Sequence, residues 1–441
     1  MYSGKDLRKL ILPLIIEQVL AVTIGIADTI MVSSAGEAAV SGIALIDSIN
    51  ILLINLFTAM ATGGAIIATQ YMGSKQAEKA RNAAAQLEVT VLILASVIMA
   101  VCVVLRRPII LLVFGNIEAD VLASADIYFL ISAISYPFMG VYNSGAALFR
   151  SMSDSKTPML ISTLMNLINV VGNAALIYGF RMGAAGAALA TLLSRVVGAA
   201  LITALLLDRK RPIHLEELLH YKPDKELIRR IFSLGVPNGV ENSMFQFGKL
   251  LVASIVSTFG TAAIAANAVA NNIVSLQVIP SAAIGTAMMT VVGTCRGAGK
   301  IDEVKKYTKK LMVYSYIAIE VMIVFTLVIG KPVISFYELT AETAELAWIM
   351  FFVHSVTAVI AWPLSFTLPN ALRAVGDVKF TMVISMVFVF VFRVGFSWLL
   401  AIVLNWGVVA IWIAMAIDWV ARALFFTVRF FRGKWRKIEV I

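Results

Sequence analysis

The chain alternates long apolar runs with short polar breaks. The runs lie near residues 10–33, 44–72, 84–105, 121–148, 159–180, 184–207, 230–257, 263–294, 310–330, 346–370, 380–404 and 407–428. Crossing the hydrocarbon core of a bilayer takes about 20 apolar residues of α-helix. The pattern therefore predicts an all-α polytopic membrane protein with twelve transmembrane helices. One break is long and polar, from Leu207 to Lys225. It divides the chain into an N-terminal lobe at 1–207, a cytoplasmic linker at 208–229 and a C-terminal lobe with a basic tail at 230–441.

The two lobes repeat. A shift of 224 residues superposes Pro13 on Pro237, Glu17 on Glu241, Gly36 on Gly260, Ala38-Ala39 on Ala262-Ala263 and Gly73 on Gly297. Farther on, Phe149-Arg150-Ser151 through Asp154 and Lys156 meets Leu372-Arg373-Ala374 through Asp377 and Lys379 at a shift of 223. Each repeat holds six spans, so both have the same orientation. The expected arrangement is two six-helix lobes related by a pseudo-twofold axis along the membrane normal, around a central cavity, as in secondary transporters.

Composition agrees with the pattern: 60% of residues are hydrophobic and 14% charged. The net charge of +10 raises the question of nucleic acid, and the placement of the basic residues answers it. With the N-terminus inside, 28 of the 36 Lys and Arg fall in cytoplasmic segments and four in outer loops. That bias is the positive-inside rule, so the basicity sets topology in a cell membrane, with both termini cytoplasmic. It does not point to nucleic acid. The turns at Gly73-Ser74-Lys75 and Gly297-Ala298-Gly299-Lys300 lack phosphate-loop spacing. Cys102 and Cys295 form no framework. His214, Glu216, Glu217 and His220 read as a solvated linker rather than a metal site.

Ionisable residues at membrane depth are the functional candidates, because each costs about 2.5–3.5 kcal/mol or more there. The first span carries Pro13, Glu17 and Asp28, and its proline is expected to bend it. Asn166, Asn169 and Asn173 share one face of span 5, and Thr191 adds a hydroxyl in span 6. Carboxylate, amide and hydroxyl oxygens of this kind can hold a small cation or a protonated acid, so Asp28, Asn169, Asn173 and Thr191 form the candidate cation or proton site. The second lobe lacks it: Val252 stands at the place of Asp28, and the shift of 223 puts Val389, Phe392 and Phe396 at the asparagines. Glu17 and its twin Glu241 are expected to face each other across the cavity and favour a cationic substrate. Lys249, deep in span 7, is expected to line that cavity or to neutralise Glu241 or Glu320. Asp47, Glu88, Glu320, Arg393 and Asp418 are further membrane-depth charges, and His354 is either a proton relay or a packing residue. No nucleophile–base pair or metal cluster suggests an enzyme.

These residues resemble those of the multidrug and toxic compound extrusion (MATE) transporters over nearly the whole chain. The resemblance rests on Pro13 through Ala27-Asp28-Thr29 and on Gly63-Gly64 to Gln70-Tyr71-Met72-Gly73. It continues through Phe149-Arg150-Ser151 to Met159, Gly186 to Thr191, Gly235-Val236-Pro237 to Glu241, Phe259 to Ala263, and Leu372 to Asp377. It implies an antiporter that exports amphipathic, mostly cationic drugs in exchange for H⁺ or Na⁺, without a cofactor, by alternating access as two lobes rock between inward- and outward-open states; a monomer is expected, with Pro13 and Pro237 as bending points. Asp28, Asn169 and Thr191 match the family's cation-site positions. Asn173 stands where the family often has an aspartate, which favours H⁺ over Na⁺. Family acids of the second lobe are absent at Phe245 and around Trp362. A lipid-linked precursor flippase of the same superfamily is the alternative, and it would want a basic cavity.

Overall fold

The computed structural model describes residues 1–215 and 221–441, with the side chains of Ile26 and Ala27 left aside. Glu216, Glu217 and His220 of the linker lie outside the described residues. By its contacts the chain forms two compact units, Tyr2–Gly239 and Val240–Ile441 with Met1. The division falls inside a helix rather than in the linker.

The first unit opens with α1 (Gly4–Ser33), started by a Ser3–Asp6 capping box and running unbroken through Pro13. α2 (Glu37–Gly73), α3 (Ala77–Phe114), α4 (Ala119–Ile134) and α5 (Tyr136–Ser151) follow. α6 (Lys156–Asn173) continues into a π-helical turn at Ala174–Gly179, and α7 (Gly183–Leu206) closes the series. α2 packs on α3, α4 and α5, while α1 lies against α6 and α6 against α7. The α6–α7 seam is close because its residues are small: a Cβ on Gly172 would meet that of Ala190 at 2.9 Å.

α8 (Lys225–Ser257) carries the chain from the first unit into the second. α9 (Thr261–Gly297), α10 (Ile301–Ser335) and α11 (Ala341–Trp362) come next, and a π turn at Pro363–Thr367 leads into α12 (Leu368–Ala374). α13 (Val378–Phe388) is extended by a π turn (Val389–Gly395), α14 (Phe396–Trp398) and a second π turn (Leu399–Val403), before α15 (Val409–Arg432). α9 packs on α10 and α11, and α11 on α15. Inside this unit Gln277 donates to Thr326 at 2.7 Å and Ser355 at 2.9 Å.

Among the described residues ten helices are long and apolar enough to cross a bilayer, or eleven with the α4–α5 pair taken as one span. The remaining expected span is α8. It is 33 residues long, about 50 Å of helix, but Asn238, Glu241, Asn242, Gln246 and Lys249 dilute its apolar character. The fourth span of each half is interrupted at a proline. α4 and α5 meet at 46° just before Pro137, and α11 gives way to a π turn at Pro363, since proline has no N–H for the helix ladder.

The repeat extends to the backbone. Residues in the left-handed region at 36, 75, 115, 153, 181 and 183 are matched by those at 260, 299, 338, 376, 405 and 407. The offset is 224 for the first two pairs, 223 for the middle two and 224 again for the last two. One residue is therefore inserted in the second half between 376 and 405. The π turn at Val389–Gly395 accounts for it, because a π turn accommodates one extra residue in a helix. The turn at Leu399–Val403 matches the one at Ala174–Gly179 and adds nothing.

Candidate ion and substrate sites

In the first unit Asp28, Asn169, Asn173 and Thr191 come together. Asp28 is half-buried on α1, and its Oδ1 accepts a hydrogen bond from Asn173 Nδ2. Asn173, the last residue of α6, is fully buried, and its Oδ1 has no partner. Asn169 Oδ1 accepts from Asn173 Nδ2 at 3.4 Å, and Asn169 Nδ2 donates to Thr191 Oγ1 at 3.0 Å. The π turn begins at the residue after Asn173. A chain of oxygens thus leads from α7 through α6 to one carboxylate on α1, and one buried acceptor in it is unsatisfied. A proton or a small cation suits such a set.

A second polar group, noted in sequence only as the isolated Asp47, stands close enough to act electrostatically on Asp28. Asp47 Oδ1 accepts from Tyr128 at 3.0 Å and Asn50 at 3.1 Å, and Asn50 in turn accepts from Tyr136 at 2.8 Å. Arg195 donates to Ser135 at 2.6 Å within the same neighbourhood. Glu88, fully enclosed, accepts from Ser144 at 2.7 Å.

Glu17 and Glu241 meet partners that sequence reading did not supply. Arg150 Nη2 lies 2.8 Å from Glu17 Oε1, and Arg373 Nη2 lies 2.6 Å from Glu241 Oε1. Ser385 also donates to Glu241 Oε1, at 2.6 Å. The two arginines are themselves repeat twins, so each half builds the same ion pair. Neither glutamate presents an unpaired charge, and the case for a cationic substrate made from them loses its footing. A signal was present: two opposite charges recur at equivalent places in otherwise apolar spans. Pro13 and Pro237 both lie inside their helices, α1 and α8.

Lys249 neutralises neither expected acid. Glu241 is taken by Arg373, and Glu320 is exposed on α10. Lys249 instead lines a cavity of about 240 Å³ in the second unit, shared with Arg393, Asn267, Asn271, Trp412 and Met415 among others. Its Nζ stands 5.2 Å from the centroid of Phe245, whose ring also receives Arg393 at 5.1 Å and Arg422 at 5.8 Å. Asp418 pairs with Arg422 at 2.9 Å. His354 is enclosed by aromatic edges, 4.9 Å from Trp419 and 6.1 Å from Trp412 between ring centroids, which is a packing environment. The change of offset from 223 to 224 falls between 376 and 405, and the π turn at Val389–Gly395 holds both residues that these offsets pair with Asn169, Phe392 and Arg393.

A family model described as MatE matches residues 13–175 and again 237–399, the same 224-residue spacing. The probable multidrug resistance protein NorM of Thermotoga maritima is 26% identical over 99% of this chain and 94% of its own. An outward-facing multidrug resistance MATE family transporter of the MOP superfamily shares the fold at a TM-score of 0.91 and 20% identity, covering 98% of this chain and 97% of that one. A MOP superfamily transporter from Pyrococcus furiosus, reported with a binding pocket of reverse polarity suggesting a different function, matches at 0.90 and 20% over the same shares.

Proposed function

Because the chain belongs to the MatE family, which is a family of transporters and not of enzymes, we propose that it is a secondary multidrug efflux antiporter. It exports amphipathic organic compounds across the cell membrane as a monomer, with both termini in the cytoplasm. Relatives named as multidrug resistance proteins over nearly their full length support the drug reading. The observation that carries the coupling mechanism is the contact of Asp28 with Asn173, continued to Asn169 and Thr191.

The logic is one of linkage. An ion or proton can shift a conformational equilibrium only by its differential affinity for the two states. Asp28 is the charge in α1 that reaches α6. Neutralising it changes the strength of its bond to Asn173, since hydrogen bonds to charged groups are about twice as strong as neutral ones. α1 is thereby held more or less firmly to α6, and bending at Pro13 becomes sensitive to the ion. Where Asn173 stands, a second carboxylate would add charge for Na⁺. Asp28 is the carboxylate in contact with Asn173, and a single proton completes neutralisation of that contact, so H⁺ is the coupling ion we favour. The charge of the substrate is left open by the ion pairs at Glu17 and Glu241.

The test is drug efflux from proteoliposomes under an imposed pH gradient and, separately, an imposed Na⁺ gradient. The pH gradient is expected to drive efflux, and Asp28→Asn is expected to abolish it while thermal unfolding stays near wild type. Full coupled efflux by that variant would refute the mechanism, and efflux driven by Na⁺ alone would overturn the choice of ion.

A further inference from the structure

We propose that the second unit carries an anion site, with Lys249 and Arg393 binding the anionic head of an amphipathic organic compound in the cavity beside Trp412. The argument starts from the repeat. An offset of 224 carries Asp28 to Val252, Asp47 to Asn271, Asn169 to Arg393 and Thr191 to Met415, and all four of these counterparts line the cavity. Lys249 stands at the counterpart of Gly25. The same helix positions that gather acids and amides in the first unit gather two cations in the second, and no acid is in the lining.

The charge is in excess and one donor is unsatisfied. Lys249, Arg393 and Arg422 crowd one ring, that of Phe245, and the single acid acting on Arg393, Asp418, is already engaged by Arg422. The face of one aromatic ring attracts cations but does not neutralise them. Arg393 is 9% exposed, and its Nη1 has no hydrogen-bond partner. A buried guanidinium N–H without an acceptor is costly, and an anion in the cavity supplies one. Lys249, which is exposed, offers a second cation to the same space. Carboxylate, phosphate and sulfonate share the needed chemistry. The remaining wall is largely apolar (Val252, Ile411, Trp412, Met415) and suits the body of an amphiphile. Such a ligand is a soluble organic anion or the head group of an anionic lipid.

The experiment measures equilibrium binding of naphthoate, and of its cationic analogue naphthylmethylammonium, to the full-length protein in phosphatidylcholine nanodiscs, with empty discs subtracted. Wild type is expected to prefer naphthoate. Lys249→Gln should weaken it about tenfold, the loss of one charge-assisted hydrogen bond. Arg393→Gln should weaken it at least as much. Should the buried Arg393 variant fail to fold, Lys249→Glu at the exposed position provides the second measurement, and it should reverse the preference toward the cation. Displacement of naphthoate by added phosphatidylglycerol would assign the site to a lipid head group, and lack of displacement to a soluble amphiphile. Unchanged naphthoate binding in both Lys249 variants, or a wild-type preference for the cation, would overturn the site. No gradient is applied, so the result is separate from the fate of the Asp28 mechanism.

Discussion

The twin ion pairs are chemically alike and differ in burial, so they should differ in strength. Glu241 and Arg373 have side chains 7% and 14% exposed, against 17% and 24% for Glu17 and Arg150. Removing one partner of a buried pair leaves the other charged and uncompensated, at a cost of about 3–5 kcal/mol. Glu241 Oε2 has no partner of its own, so the native pair is incompletely satisfied and the lower end of that range applies. Glu241→Gln should therefore destabilise by about 3 kcal/mol, which for a unit of this size lowers the unfolding midpoint by about 6–12 °C. Glu17→Gln, at the more exposed pair, should cost about 1 kcal/mol. The double change Glu241→Gln with Arg373→Met should recover most of the loss, because the stranded guanidinium is gone. Thermal unfolding followed by far-ultraviolet circular dichroism in one detergent reads all of these, since both units are helical. Equal losses for Glu17→Gln and Glu241→Gln would refute the argument from burial, as would a double variant no better than Glu241→Gln alone.

Two further outcomes follow from packing. His354→Phe keeps an aromatic ring between Trp412 and Trp419 and should leave efflux near wild type. A proton-coupling defect in that variant, measured under a pH gradient, would make His354 a relay after all. Gly172→Leu drives a side chain into Ala190 across the α6–α7 seam and should lower the unfolding midpoint by several degrees, since overpacking typically costs about 1–3 kcal/mol. Unfolding at the wild-type temperature would show the seam to be looser than the structure has it.

Much of the fold could be read from the chain because the bilayer imposes one length and one polarity on every span. The repeat was visible for a related reason. Gly36 and its twin Gly260 have positive φ just before α2 and α9, where the backbone leaves few alternatives to glycine. The Asp28 cluster was also legible, since Asn169 and Asn173 fall on one helical face and Thr191 is in the next span. The arginine partners of Glu17 and Glu241 were not. Arg150 lies 133 residues from Glu17 along the chain, and only tertiary packing brings α1 to the end of α5. The π turn in span 11 was not legible for a different reason. Hydrophobicity gives no sign of it, since the residues of Val389–Gly395 other than Arg393 are as apolar as their neighbours. α8 shows the converse: despite its polar residues it was legible as the run at 230–257.

The π turn at Val389–Gly395 has a consequence for how a duplicated protein can change its chemistry. A substitution alters one side chain where it stands. One residue added to a regular helix would rotate everything beyond it by about 100°, whereas a π turn takes up the extra residue locally. Restoring the register of later turns keeps the rest of the half intact. In this chain the turn holds both Phe392 and Arg393, the residues that the offsets of 223 and 224 pair with Asn169. A turn of this kind lets one half of a duplicated protein present a different side chain at a single level of a helix while the levels above and below stay matched.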